Sequence, residues 1–136
     1  MNDKIAFDPK TRVLIVDDQP FIRNIVKAIL KGFGLNDTIT AEDGSRAIDL
    51  LNDSKFDLII CDWNMPNVAG IEVLRHIRSS AHSNRTPFIM LTAEAYRENL
   101  VEALEAGVTD YISKPFTPDT LGEKIAGALK RTGSPK

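Results

Sequence analysis

Short runs of hydrophobic residues alternate along the chain with longer segments in which hydrophobic residues recur every three or four positions. Three of the short runs are almost entirely apolar, which is typical of β-strands covered on both faces: residues 13–16, 58–61 and 88–91. Two weaker runs, residues 38–40 and 111–112, complete a set of five predicted strands.

The segments between and after these runs predict helices, because their apolar positions fall on one face of a helix. The first covers residues 22–33, and the others lie at 47–51, 71–77, 100–104 and 121–129. Gly32 and Gly34 mark the end of the first helix, and Gly107 follows the fourth.

Five strands in alternation with five helices predict an α/β fold in which a parallel sheet carries helices on both faces. Right-handed crossovers leave few topologies, and the commonest doubly wound five-stranded sheet has the flavodoxin-like order 2-1-3-4-5. We predict one such domain over residues 11–130, an N-terminal extension over residues 1–10 and a flexible tail over residues 131–136. No further domain, such as a DNA-binding domain, is expected.

Composition narrows the class of protein. The chain has 136 residues, of which 43% are hydrophobic and 26% charged, as in an ordinary globular domain. A net charge of −2 argues against a nucleic-acid-binding protein, and a single cysteine excludes an intramolecular disulfide and a cysteine-rich zinc site. No apolar run has the length of a membrane span, and the first ten residues do not resemble a secretory signal, so we predict a cytoplasmic protein.

Polar residues follow four of the predicted strands where each strand ends. Asp17 and Asp18 follow the first strand, Asp62 the third, Thr92 the fourth and Lys114 the fifth. In the predicted order these strands are neighbours about 5 Å apart, and ligands of such sheets bind beyond the carboxyl ends of the strands. Three carboxylates, a hydroxyl and an ammonium are therefore predicted to share one pocket.

This combination predicts phosphoryl chemistry. Adjacent carboxylates repel one another unless a cation neutralises them, and oxygen ligands suit Mg²⁺. A carboxylate can attack phosphorus and form an acyl phosphate, while Mg²⁺ and Lys114 would neutralise the transferring group and Thr92 would donate a hydrogen bond to it. Taken singly, each residue could instead cap a helix, form a turn or face solvent. Their occurrence together at four strand ends favours a site that phosphorylates its own aspartate.

The chain resembles the receiver domain of two-component response regulators over residues 12–130. The resemblance rests on spaced residues in a fixed order: Asp17-Asp18, Asp62, Thr92, Tyr111 and Lys114-Pro115. Residues 62–67, 92–95, 98–99 and 114–117 are similar to the single-domain chemotaxis regulators of that family.

The resemblance implies roles for the acidic residues. Asp62 would be the phosphoacceptor, Asp18 would bind Mg²⁺ directly, and Asp17 would bind it largely through water. The backbone carbonyl of Asn64 would complete the metal site. Asn64 and Glu94 would also tune the lifetime of the acyl phosphate.

The resemblance also implies a switch and its partners. Thr92 and Lys114 would contact the phosphoryl group, Thr92 and Tyr111 would form the switch, and the Lys114–Pro115 bond would be cis. The phosphodonor would be a sensor histidine kinase or a histidine phosphotransfer protein. A downstream protein would bind the surface formed by the fourth helix, fifth strand and fifth helix.

Other functions fit the same residues less well. A phosphate sink or phosphorelay shuttle would use identical chemistry and stays open. Aspartate-based phosphatases carry a second Asp two residues after the nucleophile, where this chain has Asn64. A nucleotide or flavin binder would need a glycine-rich phosphate loop that the chain lacks. Tyr96 and Arg97 stand where the chemotaxis regulators carry lysines, which leaves the downstream partner open.

Overall fold

The computed structural model describes residues 7–80, 84–93 and 97–132. Within them the elements alternate as the hydrophobic pattern predicts: β1 Arg12–Val16, α1 Pro20–Gly32, β2 Asp37–Ala41, α2 Gly44–Asp53, β3 Leu58–Asp62, α3 Gly70–Arg78, β4 Phe88–Thr92, α4 Arg97–Ala106, β5 Asp110–Ser113 and α5 Pro118–Thr132. Glu94, Tyr96 and the outermost residues of both termini lie outside the described residues. The predicted bounds of the extension and the tail therefore stay predictions.

All five strands are parallel, and their order is β2-β1-β3-β4-β5, which confirms the predicted doubly wound, flavodoxin-like sheet. In the register, Asp62 lies opposite Leu91, and Thr92 lies opposite Ser113. The carboxyl ends of β3, β4 and β5 consequently lie at one edge of the sheet.

Two hydrophobic layers explain why the central strands are continuously apolar. Successive side chains of a strand point to opposite faces. On β1, Leu14 and Val16 pack in one layer with buried residues of α2 and α3. Val13 and Ile15 pack in the other layer with buried residues of α1 and α5.

The two weaker predicted strands are the edges of the sheet. On β2 only Ala41 is buried, and on β5 only Ile112 is buried. Because an edge strand has fewer neighbours to cover it, polar residues are tolerated there. Its run of consecutive hydrophobic residues is therefore shorter than that of a central strand. Among the described residues, no helix has both the length and the apolar character needed to cross a membrane.

Arg78, at the end of α3, joins the loops that precede β4 and β5, at the amino ends of the strands. Its half-buried guanidinium donates to the carbonyls of Thr86 at 2.6 Å and Gly107 at 2.8 Å, and to Thr109 Oγ1 at 3.3 Å. Burial lowers the pKa of Arg78. The guanidinium thus holds the start of β4 and the start of β5 against α3.

Arg78→Leu is expected to lower the free energy of unfolding by about 2 kcal/mol, because two carbonyls, of which that of Thr86 is partly buried, lose a charged donor. Urea unfolding measures this difference. Arg75→Leu is the matched control, since it removes an exposed ion pair with Glu102 (3.0 Å) and should cost under about 1 kcal/mol. Equal losses in the two variants would contradict the role of Arg78.

Candidate functional site

Three of the four buried polar residues in the described part of the chain lie at the carboxyl ends of the strands, whereas Thr11 precedes β1. In the described part of the chain, the buried polar or charged residues are Thr11, Asp17, Asp62 and Thr92. Asp17 directly follows β1, Asp62 is the last residue of β3, and Thr92 is the last residue of β4. Buried acids are rare unless they are paired, so this edge is the candidate site.

Lys114 links two of the acids. Its Nζ atom lies 2.8 Å from Asp62 Oδ1 and 3.2 Å from Asp17 Oδ2. The Lys114 backbone N–H donates to the Thr92 carbonyl at 2.8 Å, which extends the pairing of β4 and β5 by one residue and brings the side chain over the pocket. The Lys114–Pro115 peptide bond is cis.

The pocket carries more negative than positive charge. Carboxylate oxygens of Asp17, Asp18 and Asp62 all lie within 4.8 Å of one another. Burial raises the pKa of Asp62; the hydrogen bond from Lys114 opposes this shift, and the charges of Asp17 and Asp18 add to it. For Lys114, burial alone would lower the pKa, but its bonds to Asp62 and Asp17 raise it overall. An excess of carboxylates of this kind attracts a cation.

Every polar atom of Asp17 makes a hydrogen bond to another residue of the protein. Its N–H donates to the Ala41 carbonyl at 3.2 Å, Oδ1 accepts from the Gln19 N–H at 2.9 Å, and Oδ2 accepts from Lys114. Its carbonyl oxygen accepts from Arg23 Nη1 at 2.6 Å. Every polar atom of this fully buried residue therefore has a partner, as a buried polar group requires.

Asp18 has the opposite environment, although it is the next residue. It is exposed, and its carboxylate makes no hydrogen bond or ion pair with any residue that the structure describes. The pocket therefore combines acids already engaged by Lys114 with an available carboxylate. This set of oxygen donors fits Mg²⁺, which takes one or two carboxylates and keeps several waters.

The loop between β3 and α3 frames the pocket. The Trp63 N–H donates to the Leu91 carbonyl at 2.8 Å, and the Gly70 N–H donates to the Trp63 carbonyl at 2.9 Å. Between these two anchors, Asn64 is exposed. Asn67 takes a φ of 70° in a three-residue turn closed by the Val68 N–H and the Pro66 carbonyl at 2.8 Å.

Tyr111 lies on β5, on the strand next to Thr92. It is half-buried and packs against the layer that contains Leu14 and Val16. Lys124 Nζ lies 5.5 Å from the centre of the Tyr111 ring and 3.2 Å from Asp110 Oδ1. A lysine of α5 thus lies over the ring of the predicted switch aromatic.

The structure brings Asp17, Asp18, Asp62, Thr92 and Lys114 together at one edge, as the strand-end pattern predicts. Three further residues around the site were not identified from the sequence: Gln19, Arg23 and Gly70. Gly70 ends the loop that follows β3 and carries a detectable signal, since a glycine at a loop end permits close backbone approach. Arg23 carries no such signal, because an arginine on a helix is ordinarily solvated.

Comparison with known proteins agrees with this geometry. The family described as "Response regulator receiver domain" matches residues 13–126. "Chemotaxis protein CheY-3" of Vibrio cholerae is 45% identical over 120 residues, which cover 88% of this chain and 92% of the relative. "Chemotaxis protein CheY" of Pseudomonas aeruginosa is 42% identical over 120 residues, or 88% of this chain and 97% of the relative.

Solved structures are similar over the same length. The chemotaxis response regulator CheY4 of Vibrio cholerae aligns with a TM-score of 0.82 and 36% identity, covering 88% of this chain and 98% of that chain. The receiver domain of the Francisella response regulator 1452 aligns with a TM-score of 0.81 and 36% identity, covering 91% of this chain and all of that one (100%).

Proposed function

This chain belongs to the response regulator receiver domain family, and we propose that its phosphoacceptor is Asp62. A receiver domain of the CheY type is a phosphoryl-accepting switch in two-component signalling. The observation that carries the assignment to Asp62 is its buried carboxylate at the end of β3, 2.8 Å from Lys114 Nζ and grouped with two other carboxylates. The proposed donor is a phosphohistidine on a sensor histidine kinase or a histidine phosphotransfer protein.

In the proposed reaction, a carboxylate oxygen of Asp62 attacks the phosphorus of the donor. The new O–P bond forms as the P–N bond breaks, and the electron pair of the P–N bond stays on the donor imidazole. Lys114, already in contact with Asp62, would bind one phosphoryl oxygen, and the Thr92 hydroxyl would donate a hydrogen bond to a second phosphoryl oxygen. The buried position of Asp62 would limit access of water to the product.

Receiver domains bind Mg²⁺ at an acidic pocket, and we assign that role to Asp18, Asp62 and the backbone carbonyl of Asn64, with Asp17 acting through water. The assignment is supported by the different partners of the two neighbouring acids. Both carboxylate oxygens of Asp17 already accept hydrogen bonds, whereas Asp18 is exposed. When bound, Mg²⁺ would neutralise charge on the carboxylates and on the transferring phosphoryl group.

The proposed output is a change in protein binding. Thr92 would move towards the phosphoryl group, Tyr111 would turn inwards, and the surface formed by α4, β5 and α5 would change its affinity for a downstream protein. The names of the chemotaxis relatives support a role in chemotaxis. Asn64 and Glu94 are proposed to tune the lifetime of the acyl phosphate; Glu94 is outside the described residues.

Intact mass after incubation with acetyl phosphate tests the proposal. With Mg²⁺ we expect a single phosphoryl adduct, which falls to background without Mg²⁺ and in Asp62→Asn. Asp53→Asn, an exposed acid at the end of α2, is the control and should be modified like the wild type. An undiminished adduct in Asp62→Asn would assign the phosphoacceptor elsewhere. No adduct on folded wild-type protein with Mg²⁺ would contradict autonomous phosphorylation.

A further inference from the structure

The chain turns sharply between β1 and α1, and Asp18 lies at this turn. Gln19 precedes the helix with an extended backbone (φ −100°, ψ 114°), and Pro20 begins it. Arg23 is in the first turn, because its N–H donates to the Gln19 carbonyl at 3.1 Å. Helical side chains point towards the start of their helix, so the Arg23 guanidinium reaches back over the turn.

Hydrogen bonds hold the peptide units on both sides of Asp18. The unit before it is fixed through the Asp17 carbonyl, which accepts from Arg23 Nη1 at 2.6 Å. The unit after it is fixed through the Gln19 N–H, which donates to Asp17 Oδ1 at 2.9 Å. Since peptide units are planar, fixing both of them leaves Asp18 little freedom in φ and ψ. The direction of the Asp18 Cα–Cβ bond is thereby set by its neighbours.

We propose that Arg23 is a positioning residue for the metal site: it holds the Asp17 carbonyl and so aims the Asp18 carboxylate at the pocket. This inference rests on the proposed function, in which Asp18 binds Mg²⁺ directly. Within the described residues the Asp18 carboxylate makes no hydrogen bond or ion pair, so the backbone determines where this side chain leaves the chain. Residues that orient metal ligands commonly affect metal affinity by about 10- to 100-fold.

A positioning role and a purely electrostatic role predict effects of opposite sign. Arg23 carries a positive charge, which repels a dication. If the charge were its main effect on the site, Arg23→Met would bind Mg²⁺ more tightly than the wild type. If Arg23 positions Asp18, the same substitution weakens binding despite the lost repulsion.

Isothermal titration calorimetry of the full chain with Mg²⁺ alone, without phosphodonor, distinguishes the positioning role of Arg23 from the electrostatic role. We expect Arg23→Met to bind Mg²⁺ about tenfold more weakly than the wild type. Lys27→Met is the matched control, because Lys27 is exposed one turn further along α1 and its loss changes the charge equally. The control should bind Mg²⁺ as tightly as the wild type or slightly more tightly.

Unchanged or tighter binding by folded Arg23→Met would overturn the inference while the proposed function stands. Absence of Mg²⁺ binding by the wild type would instead overturn the proposed metal site, and the inference with it. Circular dichroism establishes folding. Should Arg23→Met not fold, Arg23→Lys replaces it: the charge is kept, but the Nη1 atom that donates to the Asp17 carbonyl is lost, so at least about twofold weaker binding is expected. Unchanged affinity of Arg23→Lys would then overturn the inference.

Discussion

Lys114→Met is expected to lower the free energy of unfolding of the metal-free protein by about 3 kcal/mol at neutral pH. The substitution removes the ammonium that contacts both Asp62 (2.8 Å) and Asp17 (3.2 Å) and leaves these buried carboxylates beside Asp18. Methionine fills a similar volume, so the change isolates the charge. Urea unfolding in the presence of a chelator measures the loss.

Lys124→Met provides the control for this prediction. Lys124 also forms an ion pair, with Asp110 at 3.2 Å, but the two side chains are 36% and 15% exposed, against 17% for Lys114 and 7% for Asp62. Its loss, which includes the contact with the Tyr111 ring, should cost about 1 kcal/mol. An equal cost for both substitutions would show that the carboxylate cluster is not held by Lys114.

The effect of Lys114→Met depends on pH in a defined direction. The pKa of Lys114 is raised in the folded protein, so its contribution is complete below the ordinary lysine pKa of about 10.4 and is lost as pH rises through the raised value. The pKa of Asp62 is also raised, so protonation on acidification favours the folded state and relieves the repulsion in the variant. The difference in stability between wild type and variant should therefore shrink towards about pH 4.

The strand-end site was predictable because two simple features combine. Almost continuous apolar runs identify β1, β3 and β4 as central strands, and the carboxyl ends of neighbouring parallel strands must meet at one edge. Any polar residues that follow such runs are then close in space. The position of the Asp62, Thr92 and Lys114 cluster follows from topology alone, without knowledge of a single side-chain contact.

The different environments of Asp17 and Asp18 could not be predicted in the same way. The two residues are chemically identical neighbours, yet one is fully buried and the other exposed. Asp17 continues the pairing of β1 with β2 through the Ala41 carbonyl. Its side chain therefore follows the alternation of the strand and points into a covered face of the sheet. Contacts such as Arg23 with the Asp17 carbonyl depend on where a long side chain reaches, and no local pattern encodes that.

Gly70→Ala is expected to destabilise the protein by about 3 kcal/mol and to disturb the site directly. A Cβ atom at this first residue of α3 would lie 2.3 Å from the Asp62 carbonyl oxygen, 3.0 Å from Met90 Sδ and 3.1 Å from Trp63 Cα. Two of these are backbone atoms of β3 and of the loop that follows it, so they cannot move away as a flexible side chain would. Relief of the clash must displace either Asp62 or the start of α3.

Gly127→Ala is the matched control and should change stability in the opposite direction. Gly127 lies within α5, and nothing is within 4 Å of a Cβ built there. Alanine is a better helix former than glycine by about 0.5–1 kcal/mol, so this variant should be slightly more stable than the wild type and should accept phosphate equally well. Urea unfolding and the yield of phosphoryl adduct measure both effects. If Gly70→Ala were as stable and as readily phosphorylated as Gly127→Ala, the start of α3 would not be what confines Asp62 to its place beside Lys114.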